Sequence, residues 1–169
     1  MRLEVTDDSG FLALIDPDGY SGFVGAGWDA GQMLDRFSRE MAARHLLIWG
    51  TGQEGGWTVS VSFAMSQLTG LREVRGSIVS TKGRLCVTNY ESLTMAAQFS
   101  DVTLPERHQA GLVVTVAPGS YLCRIVQLSM VASGWDRAVP PDFLVELRPE
   151  PVLEPVWGKI PWAEHSGLR

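Results

Sequence analysis

Cysteine and histidine are scarce in this chain of 169 residues, and their scarcity excludes several classes of protein. The chain contains two cysteines and three histidines. A disulfide-stabilised scaffold needs more cysteine than this, and the histidines lack the short spacing that is typical of metal ligands. We therefore expect no metal and no cofactor, and we expect Cys86 and Cys123 to be buried thiols. A disulfide between them would require their strands to lie side by side.

Long apolar runs are also missing from the chain. No segment approaches the roughly 20 apolar residues that span a bilayer. The start of the chain reaches Asp7 and Asp8 without the apolar core of a signal peptide. The Gly-x-Ser-x-Gly motif of serine hydrolases is absent as well. The sequence therefore predicts a cytoplasmic protein with no membrane partner and, more readily than an enzyme, a protein without catalytic activity.

Basic residues are nearly absent from the first fifth of the chain. Residues 1–35 contain seven acidic residues and one basic residue, a local charge of −6 within a total of −5. Such a segment repels nucleic acid, and no basic stripe follows it. The same charge favours a basic protein partner by long-range attraction, although an acidic surface can also serve solubility alone. The candidate partner-binding residues of this acidic N-terminal face are Asp16, Asp18, Asp29 and Asp35.

What the chain does contain is a succession of short apolar or alternating segments, which predicts strands. Phe11–Ile15 precedes the turn signal Asp16–Gly19, and Tyr20–Val24 is the expected returning strand. Residues 57–63 alternate between apolar and polar types, as half-buried antiparallel strands do. Further strands are expected at residues 3–6, 45–49, 72–81, 84–88 and 143–148, with a hairpin turn at Lys82-Gly83.

One helix and one further hairpin complete the expected elements. Met33, Leu34, Phe37 and Met41 recur at helical spacing behind Asp29, a suitable N-cap, which predicts an amphipathic helix over about residues 30–43. Two apolar runs on either side of Pro118-Gly119 predict a hairpin over residues 111–127. Residues 89–98 are expected to be a loop that could contain a helical turn, and residues 100–110 are expected to be a loop. The chain is therefore predicted to be mostly β, a β-sandwich of antiparallel strands in a domain of residues 1–148.

The end of the chain is rich in proline and carries two tryptophans. Its prolines exclude a helix or a central strand, so residues 149–169 are expected to form an extended C-terminal arm. Trp157 and Trp162 must be buried on the arm's own domain or on a neighbouring molecule. Both are therefore candidate partner-binding residues, and a homo-oligomer that forms through the arm is one alternative.

Two residues support an alternative role in small-molecule binding or weak catalysis. Arg124 lies in an otherwise apolar strand, so it needs either a carboxylate partner, such as Glu146, or an exposed face. His108 lies in a polar loop and could act as a base only toward an accessible thiol. This alternative predicts a pocket near Arg124 or His108.

Two short motifs resemble a known family. Trp28-Asp29 before the helix and Gly119-Ser120-Tyr121 at the start of a late strand are similar to the competence protein J family of small bacterial β-sandwich proteins. That family inhibits a nuclease. The resemblance implies a protein-binding module of inhibitor or immunity type, and it assigns no functional residue.

Overall fold

The computed structural model describes residues 1–134, 139–151 and 155–163. The helices in these ranges are α1 (Ala30–Ala42), α2 (Tyr90–Gln98) and a 3-10 helix (Arg107–Leu112). The strands in them are β1 (Arg2–Asp7), β2 (Phe11–Ile15), β3 (Leu46–Gly50), β4 (Gly55–Ser62), β5 (Arg72–Ser80), β6 (Arg84–Asn89), β7 (Val113–Thr115), β8 (Gly119–Gln127) and β9 (Phe143–Pro149).

The strands form two sheets, and the predicted mostly-β fold is confirmed. One sheet has five strands in the order β1-β4-β9-β8-β5, and the other has four in the order β3-β2-β6-β7. All pairs are antiparallel except β4 and β9, which run parallel. The expectation of antiparallel strands is wrong for that one pair, because β9 follows a long connection and enters between β4 and β8.

Alternating residues of the two sheets interlock to form the core. Trp57 on β4 and Trp49 on β3 approach Phe143 from the two sheets, with ring centroids 5.2 and 6.2 Å away. The outer face of the four-stranded sheet is covered by α1 and α2, where Phe37 and Tyr90 are 6.0 Å apart. Because both faces of this sheet are covered, every residue of β2 and β3 is buried.

Helix α1 confirms the predicted helix. Residues 90–98 form a full helix, α2, where a loop with at most a helical turn was expected, and the 3-10 helix Arg107–Leu112 interrupts the loop expected at residues 100–110. Asn89 is the N-cap of α2, and its side chain accepts a hydrogen bond from the backbone N–H of Ser92 at 3.0 Å. The buried face of α2 includes small and polar residues, namely Ser92, Ala96 and Ala97. That composition weakens the periodic signal from which α1 was predicted. None of the three helices in the described ranges is long and apolar enough to cross a membrane.

Two predicted hairpins form turns, but their strands do not pair with each other. After Lys82-Gly83 and again after Pro118 the chain passes from one sheet to the other, so β5 pairs with β8 and β6 pairs with β7. The two crossings lie side by side, since the N–H of Val116 donates to the carbonyl of Gly83 at 3.0 Å. Turn residues fix the reversal of the chain, whereas burial of each strand's apolar face selects its partner.

The predicted strand at residues 20–24 is also wrong. The turn forms, because the N–H of Tyr20 donates to the carbonyl of Asp16 at 2.8 Å. Both edges of β2 are already paired, with β3 and β6, so a returning strand has no place beside it. The segment lies instead along the end of α2, where Val24 and Gly25 donate to the carbonyl of Ala97 at 2.9 and 3.0 Å.

Candidate functional site

Asp16, the first of the predicted acidic contacts, lies inside the fold. It has no exposed surface. Its carboxylate accepts hydrogen bonds from the hydroxyl and the N–H of Thr81, at 2.5 and 3.2 Å, and from the N–H of Asp18 at 3.3 Å. Asp16 therefore joins the turn after β2 to the end of β5, and it offers nothing to a partner at the surface.

Asp18 is neutralised within the chain. Arg84 donates two hydrogen bonds to its carboxylate, at 2.8 and 2.9 Å, and the ammonium of Lys82 lies 3.7 Å away. The hydrogen bond from Arg84 is the main reason why the pKa of Asp18 lies below its ordinary value. A partner would have to compete with two cations that are already in place.

Asp29 and Asp35 are the two predicted acidic residues that face solvent; Asp29 caps α1 and Asp35 lies within it. Asp29 is the N-cap: it accepts from the N–H of Gln32 at 2.8 Å, and its own N–H donates to the side chain of Gln32 at 3.0 Å. Asp35 lies beside Arg36 and Arg39 at a depression of about 240 Å³. The four aspartates therefore do not form one face, and contact with a partner stays a prediction for Asp29 and Asp35.

Trp157 anchors the arm to its own domain. It is 7 % exposed, and its indole N–H donates to the carbonyl of Arg75 on β5 at 2.7 Å. A slot for the ring exists because Gly76 has no side chain: a Cβ there would lie 2.8 Å from both Trp157 and Leu47. The carbonyl of Pro155 accepts from the hydroxyl of Ser77 at 3.1 Å. The arm therefore closes the edge between β5 and β3.

Trp162 is half-buried at the far end of the described part of the arm. The guanidinium of Arg72 lies over its ring, 4.4 Å from the centroid. Its backbone has a φ of 61°, in the left-handed region that side chains other than glycine rarely adopt. The carbonyl of the preceding Pro161 accepts from the N–H of Gly50 on β3 at 2.9 Å. These contacts hold a strained residue in one place, a feature that is common at functional sites.

A groove of about 420 Å³ runs between α1 and the arm, and we call it the α1–arm groove. Leu34, Ser38 and Met41 form the helix side, and Ile160 and Trp162 belong to the arm side. Leu34 is 41 % exposed, whereas Met41 is buried at the floor. The groove therefore joins one predicted contact residue, Trp162, to the helix that carries Asp29 and Asp35.

Sequence patterns alone did not identify this groove. Leu34 belongs to the apolar residues of α1, but it lies about 100° around the helix from Met33. That offset extends the apolar surface beyond the stripe of Met33, Phe37 and Met41 that faces the sheet. The offset is the one signal in the sequence that could have indicated a second apolar face on α1.

Arg124 lies on β8 and has the partner that was expected for it. It donates to Glu146 at 2.8 Å and twice to Glu73, at 2.5 and 3.1 Å. The carbonyls of Ser66 and Leu68 accept its remaining two hydrogen bonds, at 3.3 and 2.7 Å. All five donors of the guanidinium are therefore used, and none is left for the ligand that the alternative role requires.

Glu146 completes this network from β9. Burial alone raises the pKa of its carboxyl, but hydrogen bonds from Ser66 and Arg124 outweigh burial, so the pKa lies below its ordinary value. The carboxylate is therefore ionised at neutral pH and paired with Arg124. The network has the features of a structural ion cluster.

His108 lies on an open groove of about 620 Å³ at the opposite edge of the sandwich, between β1 and the 3-10 helix. Asn89 and Gln109 also line this groove, and both side chains are bonded within the chain. The imidazole of His108 is exposed in this groove, as the small-molecule alternative requires. A small-molecule site at His108 stays a prediction.

The two cysteines are free and lie on different sheets, Cys86 on β6 and Cys123 on β8. Burial raises the pKa of Cys86 to about 12 and raises the pKa of Cys123 as well. Neither thiol is therefore activated as a nucleophile. No group of three or more potential metal ligands occurs within residues 1–134, 139–151 and 155–163. Of the three histidines, His45 and His108 lie within these ranges and His165 lies outside them.

Comparison with solved structures identifies two proteins of similar fold. One is described as crocagin biosynthetic gene J: the TM-score is 0.59, the identity is 21 %, and the match covers 89 % of this chain and 95 % of the other. The second is ComJ from Bacillus subtilis, an inhibitor of the DNA-degrading activity of NucA, with a TM-score of 0.56, 7 % identity, and coverage of 89 % and 96 %. No protein-family model and no curated sequence matches. The predicted resemblance to competence protein J is therefore confirmed for the fold.

Proposed function

We propose that the chain is a non-catalytic protein-binding module of inhibitor or immunity type, and that it binds its partner through α1 and the arm. The α1–arm groove carries this proposal, because it presents an apolar, solvent-open surface in a fold that is shared with a nuclease inhibitor. Protein interfaces are centred on such apolar, aromatic-lined surfaces and are bordered by charged residues.

The charges beside the groove favour a partner with a basic segment. Asp29 and Asp35 are exposed on the same helix as Leu34, so a cationic side chain could pair with them while an apolar side chain enters the groove. Arg36 and Arg39 also lie on α1, and Lys159 lines the arm side of the groove. The attraction of a basic segment is therefore confined to Asp29 and Asp35, beside the groove, and does not extend over a continuous acidic face. Such pairs add selectivity and a faster association rate.

The proposal is tested by removing the two charges while keeping the helix intact. Asp29→Asn retains an N-cap side chain, so the double variant Asp29→Asn/Asp35→Asn changes charge and not fold. We expect the immobilised wild type to capture a basic protein from an extract of the source organism, and we expect the double variant to bind it about tenfold more weakly. Raising the salt concentration from about 50 to about 300 mM should weaken wild-type binding by a similar factor.

The matched control is Asp8→Asn/Asp101→Asn, which removes two exposed aspartates away from α1. This control should bind the partner as the wild type does. Leu34→Asp tests the groove itself, and it should abolish binding because it places a charge at the apolar surface. Equal capture by all variants, or capture that is insensitive to salt and to Leu34→Asp, contradicts the proposal.

A further inference from the structure

A groove of about 390 Å³ opens on the outer face of the five-stranded sheet, beside Arg124. Residues 63–71, which connect β4 to β5 across β9 and β8, form one wall of it. Arg75 on β5 and Arg148 on β9 line the groove from the two sides of β8. We call this depression the Arg75–Arg148 groove.

The register of the strands directs the two arginines toward one space. Arg75 lies opposite Arg124 in the pairing of β5 with β8. Arg148 lies opposite Leu122 in the pairing of β8 with β9. Leu122 and Arg124 are two residues apart, so all four side chains are on the same face of the sheet. Strands about 4.8 Å apart, with a rise of about 3.4 Å per residue, place the Cα atoms of the two outer arginines about 12 Å apart. Both guanidinium groups can therefore reach one ligand above Leu122.

The wall of the groove is held in place by the buried ion network. The N–H of Ser66 donates to Glu146 at 3.1 Å. The carbonyls of Ser66 and Leu68 accept from Arg124 at 3.3 and 2.7 Å. At the end of the wall, a Cβ on Gly70 would collide with the backbone of β8, so the two segments are in direct contact. Because the wall is already fixed, little of it has to be ordered when a ligand binds.

Hydrogen-bond donors in the groove outnumber the acceptors that remain for them. A guanidinium has five N–H donors and no acceptor. Within the described part of the chain, the side chain of Arg75 makes no hydrogen bond, and that of Arg148 makes one, to Glu150 at 3.0 Å. Gln67 and Thr69 on the wall are exposed, and their side chains make none there either. The groove therefore presents donors that only a ligand or water can satisfy.

The carboxylates near the groove are bonded to Arg124. One oxygen of Glu73 accepts two hydrogen bonds from Arg124, at 2.5 and 3.1 Å, and Glu146 accepts a third at 2.8 Å. The hydrogen bond from Arg124 is the main reason why the pKa of Glu73 lies below its ordinary value, and the charge of Arg75 contributes less. Arg75 also lies directly across the sheet from Arg124, an arrangement of like charges that is unfavourable by itself. An anion beside Arg75 would relieve it.

We propose that the Arg75–Arg148 groove binds a small organic anion, whose carboxylate or phosphate group is held by the guanidinium groups of Arg75 and Arg148. Both kinds of oxyanion match the planar fork of a guanidinium and accept two parallel hydrogen bonds from it. Leu122 is partly exposed between the arginines and offers an apolar surface to the carbon part of the ligand. A volume of about 390 Å³ lies at the small end of the range for small-molecule sites.

This site differs from the one that the sequence predicts near Arg124. The donors of Arg124 are all used within the chain, so Arg124 fixes the wall and the floor and does not bind the ligand. Its neighbours on β5 and β9 supply the binding groups instead.

NMR titration of the isotope-labelled chain with succinate and, separately, with glycerol phosphate tests the proposal. At least one of them should bind with a dissociation constant of about 1 mM or below. Binding should shift the amide signals of Thr69 and Leu122 and the Nε–H signals of Arg75 and Arg148 in a saturable way. The compound that binds more tightly identifies the preferred acidic group. The uncharged counterparts, succinamide and glycerol, should leave these signals unchanged at the same concentrations.

Two variants test the arginines separately. Arg75→Gln and Arg148→Gln should each weaken binding at least about tenfold, because each removes charge-assisted hydrogen bonds to the ligand. Both residues are exposed, so the spectra of the variants should otherwise match that of the wild type. The matched control is Arg107→Gln, which removes an exposed arginine of the 3-10 helix outside the groove and should bind as the wild type does.

The absence of saturable shifts with either compound up to about 20 mM overturns the proposal. So does binding to Arg75→Gln and Arg148→Gln that is as tight as binding to the wild type. Equal shifts with the uncharged counterparts, or an equal loss of binding in Arg107→Gln, would likewise show that the two arginines do not form an anion site.

Discussion

At the scale of single residues, the fold keeps a guanidinium almost out of water by giving each of its donors an acceptor. Arg124 is 5 % exposed and Glu146 is 2 % exposed. Removing such a pair from water costs several kcal/mol for each ion, and the cost is recovered only when the geometry is good and the remaining hydrogen bonds are satisfied. The backbone carbonyls of Ser66 and Leu68 accept the two guanidinium hydrogen bonds that the carboxylates of Glu73 and Glu146 do not accept.

Arg124→Met should therefore destabilise the protein by about 3–5 kcal/mol, because it leaves the Glu146 carboxylate buried without its cation. Arg124→Met/Glu146→Met should recover stability to within about 1–2 kcal/mol of the wild type, since both charges are then absent. Urea denaturation of the three proteins measures both values. A single variant as stable as the wild type would contradict a buried ion pair.

Asp7 gives the protein a pH dependence of the opposite kind to that of a salt bridge. Its carboxylate is fully buried and accepts hydrogen bonds from the N–H groups of Ser9 and Phe11, both at 3.0 Å, and from the hydroxyl of Thr51 at 2.9 Å. Burial is the largest influence and raises the pKa of Asp7 above its ordinary value. The folded protein therefore holds this proton more tightly than the unfolded chain does.

The contribution of Asp7 to the free energy of unfolding should consequently fall as the pH rises from about 3.9, the ordinary pKa, through the higher pKa of Asp7 in the folded protein. Asp7→Asn has no carboxyl to titrate at this position. The free energy of unfolding of the wild type, relative to that of the variant, should therefore decline as the pH rises between the two pKa values of Asp7. Urea unfolding at a series of pH values measures the decline, with exposed Asp8→Asn as the control. A difference between wild type and Asp7→Asn that stays constant or grows with pH would exclude the raised pKa.

At the scale of elements, the described residues 155–163 of the arm fill a slot in the sandwich edge. Its tryptophans do what a strand or helix would otherwise do, covering apolar surface between β3 and β5. The slot depends on Gly76, because any side chain there would meet the ring of Trp157 and the end of Leu47.

Gly76→Ala should displace the arm at a cost of about 1–3 kcal/mol, the range for overpacking a filled site. The fluorescence of the tryptophans should shift to longer wavelength, and the arm should become sensitive to proteolysis. Gly111→Ala is the matched control, because a Cβ at Gly111 meets nothing within 4 Å. Identical fluorescence and proteolysis in Gly76→Ala and the wild type would show that the slot is not essential.

The elements also show what the sequence could reveal. Helix α1 was predictable because Met33, Phe37 and Met41 repeat at helical spacing behind an N-cap. Helix α2 was not, since Ala96 and Ala97 carry little hydrophobic contrast. Strand positions followed from local alternation, but their partners depend on contacts between distant segments. The turn at Lys82-Gly83 therefore indicated a reversal without indicating that the chain changes sheets there.

The candidate site was less predictable than the fold. Charge counting identified acidic residues, but it could not show that Asp16 is buried or that Asp18 is paired with Arg84. The sequence showed that the tryptophans of the arm must be buried somewhere. It did not show where, because their binding positions depend on Gly76 and Arg72, more than 75 residues earlier in the chain.

At the scale of the whole molecule, the sandwich separates two surfaces. α1 covers the outer face of the four-stranded sheet, and residues 63–71 cross the outer face of the five-stranded sheet. A partner that binds α1 and the arm would therefore lie on the side of the sandwich opposite to residues 63–71.

Amide hydrogen exchange of the chain, alone and bound to its captured partner, tests the central claim that α1 and the arm form the binding face. Binding should slow exchange in α1 and in residues 155–163 and leave exchange in β1 and the 3-10 helix beside His108 unchanged. Slower exchange confined to the His108 groove, with α1 and the arm unchanged, would contradict the account.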